Sequence, residues 1–112
     1  MVDEQTQTVA VCPVERLIPG RGVAALLPDG RQVAIFRTAD EEFYGISNID
    51  PFTRAAVLSR GIVGDSKGVP IVASPLLKQQ FDLRTGVCLD DESVAIRTYQ
   101  IRVIEGVVHI CP

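Results

Sequence analysis

The chain has 112 residues, 46% of them hydrophobic, and a mean hydropathy of +0.22, which suffices for one buried core and is too little for two. A formal charge of −3 and an isoelectric point near 5.0 argue against a nucleic-acid binder, because neutralising phosphates takes a basic surface. No run of 18 apolar residues occurs, so no membrane-spanning helix is expected; the opening MVDEQTQTVA has neither the basic nor the apolar segment of a secretory leader, so a cytoplasmic location is expected.

Short apolar runs rich in Val and Ile, broken by Gly, Pro and Asp, recur from end to end, the pattern of an all-β chain. The first run is Thr8 to Cys12. VAALLPDGRQVAIF then reads as a hairpin, with strands Val23 to Leu27 and Gln32 to Phe36 around the turn formers Pro28-Asp29-Gly30. Phe43 to Ile46 is a further strand, and TRAAVLSRG is the one helical candidate, a short turn ended by Gly61. Val69 to Ala73 follows. YQIRVIEGVVHI closes the chain as a second hairpin about Glu105-Gly106, with Tyr99, Ile101 and Val103 expected on one face and Gln100 and Arg102 on the other. Many short strands and close turns predict a single-domain antiparallel sandwich or partly open barrel over residues 1–112.

Chemistry is harder to find. Neither a Gly-rich phosphate loop nor a dinucleotide fingerprint is present. The single histidine, His109, lies inside the last predicted strand and is expected to be structural there. His109 and Cys111 could form half of a zinc site, but only Cys12 and Cys88 could complete it and no C-x-x-C pair exists; the three cysteines read as reduced, mostly buried thiols. The acid pairs in ADEEF and LDDES read as solvated loops, since paired acid–base catalysts need an environment that separates their pKa values. Charge is uneven: from Asp50 to Lys78 four basic residues face two acidic ones, leaving −5 for the remainder, so the middle of the chain is its electropositive part.

Three stretches, taken together, resemble the Rieske ferredoxin family. YGISNIDPFTRAAVLSRGIVGD is similar to that family's first cluster-binding segment, a C-P-H tripeptide followed by an L-S-x-G step. GVPIVASPLLKQQFDLRTG is similar to the second, a strand leading to C-P-x-H and F-D-x-x-T-G, and LIPGRGVAAL and AIRTYQIRVIEGVVHI resemble the opening and closing hairpins. The resemblance implies the Rieske-like fold. It also places the family's first cysteine and histidine on Asp50 and Phe52, and the second pair on Ser74 and Leu77, so that the frame is kept and the ligands are lost. Phe52 and Leu77 have no donor atom, and the oxygens of Asp50 and Ser74 suit a sulfide cluster poorly. No cofactor, metal or catalytic residue is therefore expected in this chain.

Among such cluster-free domains, ISNIDPF, LSRGIVGD, ASPLLKQQFDLRTG and IRTYQIRV resemble the small-subunit family of bacterial NADH-dependent assimilatory nitrite reductases. That resemblance implies an accessory chain that binds a large subunit, the large subunit carrying FAD, siroheme and a [4Fe-4S] cluster and reducing nitrite to ammonium. The alternative is a cluster-free scaffold or regulatory module of another oxidoreductase. Phe52 and Leu77 are expected to fill the vacated space; the competing arrangement leaves Phe52, Leu76 and Leu77 at the loop tips as an apolar docking surface ringed by Arg54, Arg60 and Lys78. Asp50 is expected to cap its own turn by accepting a backbone N–H within DPFTR.

Overall fold

A computed structural model describes residues 8–111. Its organising strand is β3, Gln32–Arg37, in which Val33 to Phe36 are all buried. Alternation along a strand sends successive side chains to opposite faces, so an unbroken apolar run requires a core on each side. Both cores exist. Val33 and Ile35 enter a cluster with Leu17, Leu27, Tyr99, Val108 and Ile110; Ala34 and Phe36 enter another with Ile46, Leu58, Val72, Phe81, Leu83 and Cys88.

The first cluster is enclosed by a six-stranded antiparallel sheet. It contains β1 (Val9–Pro13), β2 (Gly22–Leu26), β3, β4 (Phe43–Ser47), β10 (Thr98–Ile104) and β11 (Val107–Cys111), in the order β1-β11-β10-β4-β3-β2, and it curls into a nearly closed barrel. Both predicted hairpins form. At the β10–β11 turn Glu105 and Gly106 both have positive φ, the primed geometry that suits the strand twist. Burial alternates at the start of β10, with Tyr99 buried and Gln100 exposed, and fades by Val103 and Ile104, which are both exposed.

Residues 48–97 are inserted between two adjacent strands of this sheet: the chain leaves β4 at Ser47 and returns to β10, where Thr98 pairs with Ile46 and the Ser47 N–H donates to the Arg97 carbonyl at 2.9 Å. The insertion is a five-stranded meander, β5 (Ile62–Ser66), β6 (Val69–Ala73), β7 (Gln80–Asp82), β8 (Val87–Cys88) and β9 (Asp91–Ala95), each pairing with the next. Only β6 is apparent as an apolar run. The others are too short or too polar for periodicity to mark them, and the LDDES acids, expected in a loop, open β9 with Asp91 and Glu92 still exposed. The expected helical turn is reduced to three residues of 3-10 helix, Leu58–Arg60, with Leu58 buried against the second cluster.

The F-D-L-R-T-G segment has a physical reading here. Phe81 is buried, and Asp82 accepts the Arg84 N–H at 2.8 Å and its guanidinium at 3.2 Å. Thr85 Oγ1 accepts the Val87 N–H, and Gly86 at φ +80° donates to the Asp82 carbonyl. Burial pushes the Asp82 carboxyl up, but the hydrogen bonds and charge of Arg84 outweigh it and hold it below its ordinary range. A carboxyl whose pKa is lowered by folding contributes stability above its unfolded pKa and loses it as pH falls through the folded value. Asp82→Asn is therefore expected to flatten the acid limb of a stability-versus-pH curve, as measured by thermal melts between neutral and strongly acidic pH.

Candidate functional site

Two loops stand side by side where the meander meets the barrel. One follows β4 and contains D-P-F-T-R, residues 50–54; the other joins β6 to β7 and contains S-P-L-L-K, residues 74–78. Their sequences share a pattern of short polar residue, proline, large apolar residue, any residue, base. Their backbones share a construction. The Arg54 N–H donates to the Asp50 carbonyl at 2.8 Å and the Asp50 N–H to Ala55; the Lys78 N–H donates to the Ser74 carbonyl at 3.1 Å and the Ser74 N–H to Gln79. In each loop the first side chain caps the turn: Asp50 Oδ1 accepts the Phe52 N–H at 2.8 Å, and Ser74 Oγ accepts the Leu76 N–H at 3.3 Å. Each turn closes on a left-handed basic residue, Arg54 at φ +67° and Lys78 at φ +69°.

The loops are joined at their first residues. Ser74 Oγ–H donates to Asp50 Oδ2 at 2.5 Å, with Asp50 wholly buried and Ser74 1% exposed. A buried carboxylate is tolerable only when its oxygens are bonded, and here each Asp50 oxygen has a donor. The capping role expected of Asp50 is therefore present, together with a partner 24 residues away. Asn48 anchors the same region: its Oδ1 accepts the Ser59 N–H at 2.7 Å and its Nδ2 donates to Gln32 Oε1 at 3.2 Å.

The expected filling of the space by Phe52 and Leu77 is corrected. Leu76 is 50%, Leu77 53% and Phe52 38% exposed. Only Phe52 packs inward, its ring centroid 6.3 Å from that of Phe81. The reason is geometric: a five-residue turn closed on its first carbonyl carries its middle residues to the tip, and only the first residue faces the neighbouring loop. Arg54, Arg60 and Lys78 are exposed as well, and none of them forms an ion pair among the described residues.

Could these residues hold a [2Fe-2S] centre of the Rieske type? That group needs two thiolates on one iron and two imidazoles on the other. The chain has one histidine, and it lies in β11, where His109 Nδ1 meets Thr8 Oγ1 at 2.8 Å. Cys88 belongs to the core below the meander, while Cys12 packs against the barrel cluster. At the loops the side chains offer oxygens, hydrocarbon and the cationic nitrogens of Arg54 and Lys78, which have no lone pair for a metal, and the oxygens of Asp50 and Ser74 already bind each other. The donor set does not fit the cluster. Nor do His109, Cys111, Cys12 and Cys88 converge on a zinc site: among the described residues no three His, Cys, Asp or Glu side chains form a metal-binding group.

The chain has two further grooves that sequence reading did not pick out, one at the β5–β6 hairpin end of the meander and one beside the first loop. One is lined by Asp40, Glu42 and Asp65 with Arg84 and Tyr44; burial, then the charges of Glu42 and Asp40, push the Tyr44 phenol up. The other adjoins the first loop at Ile49 and Pro51 and contains Arg31, Arg97 and Tyr99.

This double-loop, two-sheet architecture is that of a Rieske-like domain, and the chain belongs to the Rieske-like [2Fe-2S] domain family, whose pattern matches residues 7–111. Within it the chain belongs to the family of the nitrite reductase (NADH) small subunits. It is 46% identical over 101 residues to the nitrite reductase (NADH) small subunit of Salmonella typhimurium, covering 89% of this chain and 93% of that one. A crystal structure of a candidate NADH-dependent nitrite reductase small subunit from Mycobacterium tuberculosis superposes with a TM-score of 0.90 at 50% identity, covering 93% of each chain. A third relative differs in kind: in the nitrite reductase [NAD(P)H] large subunit of Klebsiella oxytoca, a segment is 40% identical over 101 residues, covering 90% of this chain and 10% of that protein.

Proposed function

We propose that this chain is the accessory small subunit of a cytoplasmic NADH-dependent nitrite reductase serving nitrate assimilation, and that it acts by binding the large subunit and not by redox chemistry of its own. The observation that carries this reading is the Klebsiella oxytoca protein, in which a homologous segment lies in the same polypeptide as a large subunit. Two modules that one organism joins covalently and others make as separate chains are expected to associate, since a linker raises the effective concentration of a contact that already exists. The donor set at the loops supports the second half of the proposal. Flavin, siroheme and [4Fe-4S] cluster, with the reduction of nitrite to ammonium, then belong to the partner.

For the contact surface we take the exposed loop residues Phe52, Leu76 and Leu77 as the apolar part and the exposed bases Arg54, Arg60 and Lys78 as its charged rim, a reading supported by their exposure. Reversing two of these charges, Arg54→Glu with Lys78→Glu, is expected to weaken the complex by at least about tenfold, measured as the Kd for purified large subunit, without moving the melting temperature of the free chain.

Affinity capture of the tagged chain from its native cells grown on nitrate tests the assignment. The expected eluate contains a large chain with flavin and siroheme absorption and oxidises NADH when nitrite is added. A chain that elutes alone and colourless would contradict it.

A further inference from the structure

The groove beside the first loop has a chemistry that the fold does not use. It is an open trough of about 450 Å³ lined by Gln32, Ser47, Ile49, Pro51, Ile96 and Tyr99, with Arg31 on one side and Arg97 on the other. Both guanidinium carbons lie over the same ring, at 5.5 Å and 5.2 Å from the Tyr99 centroid. Two like charges are thus held around one buried aromatic in a chain whose net charge is −3. Only one of them is neutralised. Arg31 binds Asp29 at 2.6 Å, whereas Arg97 has no acid within ion-pair distance among the described residues, and no acid lines the trough.

Tyr99 adds a third donor. The residue is 7% exposed, its oxygen accepts from Arg31 Nη1 at 3.4 Å, and its own hydroxyl hydrogen finds no acceptor among the described residues. The planar guanidinium fork and the phenol are the donor types that recognise a carboxylate. The groove is open and much larger than a small anion needs, and its apolar floor of Ile49, Pro51 and Ile96 suits the methylenes and backbone beside an acidic side chain. Pro51 is also the second residue of the first loop, so the trough continues the exposed tip that carries Phe52.

We propose that the Arg31–Tyr99–Arg97 groove is a carboxylate-binding site that receives an acidic segment of the large subunit. The inference rests on the accessory-subunit reading and specifies part of its interface.

The test is the Kd of the intact large subunit for wild type, Arg97→Gln, Arg31→Gln with Arg97→Gln, and Arg97→Lys, each across a salt series, with melting temperatures recorded in parallel. Arg97→Gln is expected to weaken binding about tenfold and the double variant further. Arg97→Lys restores part of the loss because it keeps the charge and loses the fork. The salt dependence flattens in the glutamine variants, a change that lost packing on Tyr99 would not produce. Unchanged affinity and salt slope in the double variant, with wild type binding normally, overturn the groove assignment and leave the subunit reading standing. Failure of wild type to bind the large subunit overturns both. Saturable perturbation of Tyr99 and Arg97 NMR signals by nitrite or phosphate, with large-subunit affinity unchanged in Arg97→Gln, identifies a small-anion site and likewise overturns the proposal.

Discussion

Gly86→Ala is expected to destabilise the chain by about 3 kcal/mol or more, lowering its melting temperature by more than about 10 °C. Gly86 sits at φ +80°, a conformation that costs an L side chain free energy by itself. Here a Cβ would also collide with the Ile96 carbonyl oxygen, which is backbone and cannot swing aside. Relief would require moving the Ile96 N–H from the Gly86 carbonyl, a 2.9 Å bond, and so loosening β9 from β8 where Val87 pairs with Ala95. Thermal denaturation checks this. The effect should spread to the loops, since Phe81 at the head of the same segment carries the Phe52 ring, and weaker large-subunit binding is expected to accompany the lost stability.

Asp50→Ala is expected to cost about 3 kcal/mol as well, by a different route. It removes the acceptors of the Phe52 N–H and of the Ser74 hydroxyl, and a buried donor left without a partner costs roughly 1–3 kcal/mol. Asp50→Asn should cost less, about 1 kcal/mol, because its amide oxygen can keep the Phe52 N–H while its NH2 donates to Ser74 Oγ. Ser74→Ala should fall between them, since Asp50 keeps one donor and loses the other. Denaturant midpoints of the three variants give the order. If Asp50→Ala and Asp50→Asn are equal, the pair of bonds is not what holds the loops together.

The parts of this fold that were legible in sequence are those in which one local rule sufficed. Gln32 to Phe36 announced a strand, Pro28-Asp29-Gly30 and Glu105-Gly106 announced their hairpins, and Asp50 ahead of Pro51 announced a side-chain cap. What escaped was set by distant partners. Strands β7 to β9 are two to five residues long and exist because each is paired to the strand before it, β7 to β6, β8 to β7 across the turn around Asp82 and Gly86, and β9 to β8. The partnership of Asp50 with Ser74 spans two loops, and nothing near Ser74 signals it, although the repeated polar–Pro–apolar–x–basic pattern of the two loops could have suggested a matched pair. Leu77 was misread because its hydrophobicity is a local property, while its exposure follows from the closure of the turn on Ser74. The Arg31–Tyr99–Arg97 groove draws on β10 and the β2–β3 turn, which sequence order keeps far apart.

If this chain works as a bound subunit with no cluster of its own, its effect on nitrite reduction must not depend on iron that it carries. The most direct test is to purify the chain from iron-replete cells, determine its iron and acid-labile sulfide, and titrate it into large subunit isolated without it while following nitrite-dependent NADH oxidation. The expected result is a chain without iron or sulfide that nonetheless binds and brings activity to the level of the native complex. Activity that appears only in proportion to iron and sulfide carried by this chain would contradict it.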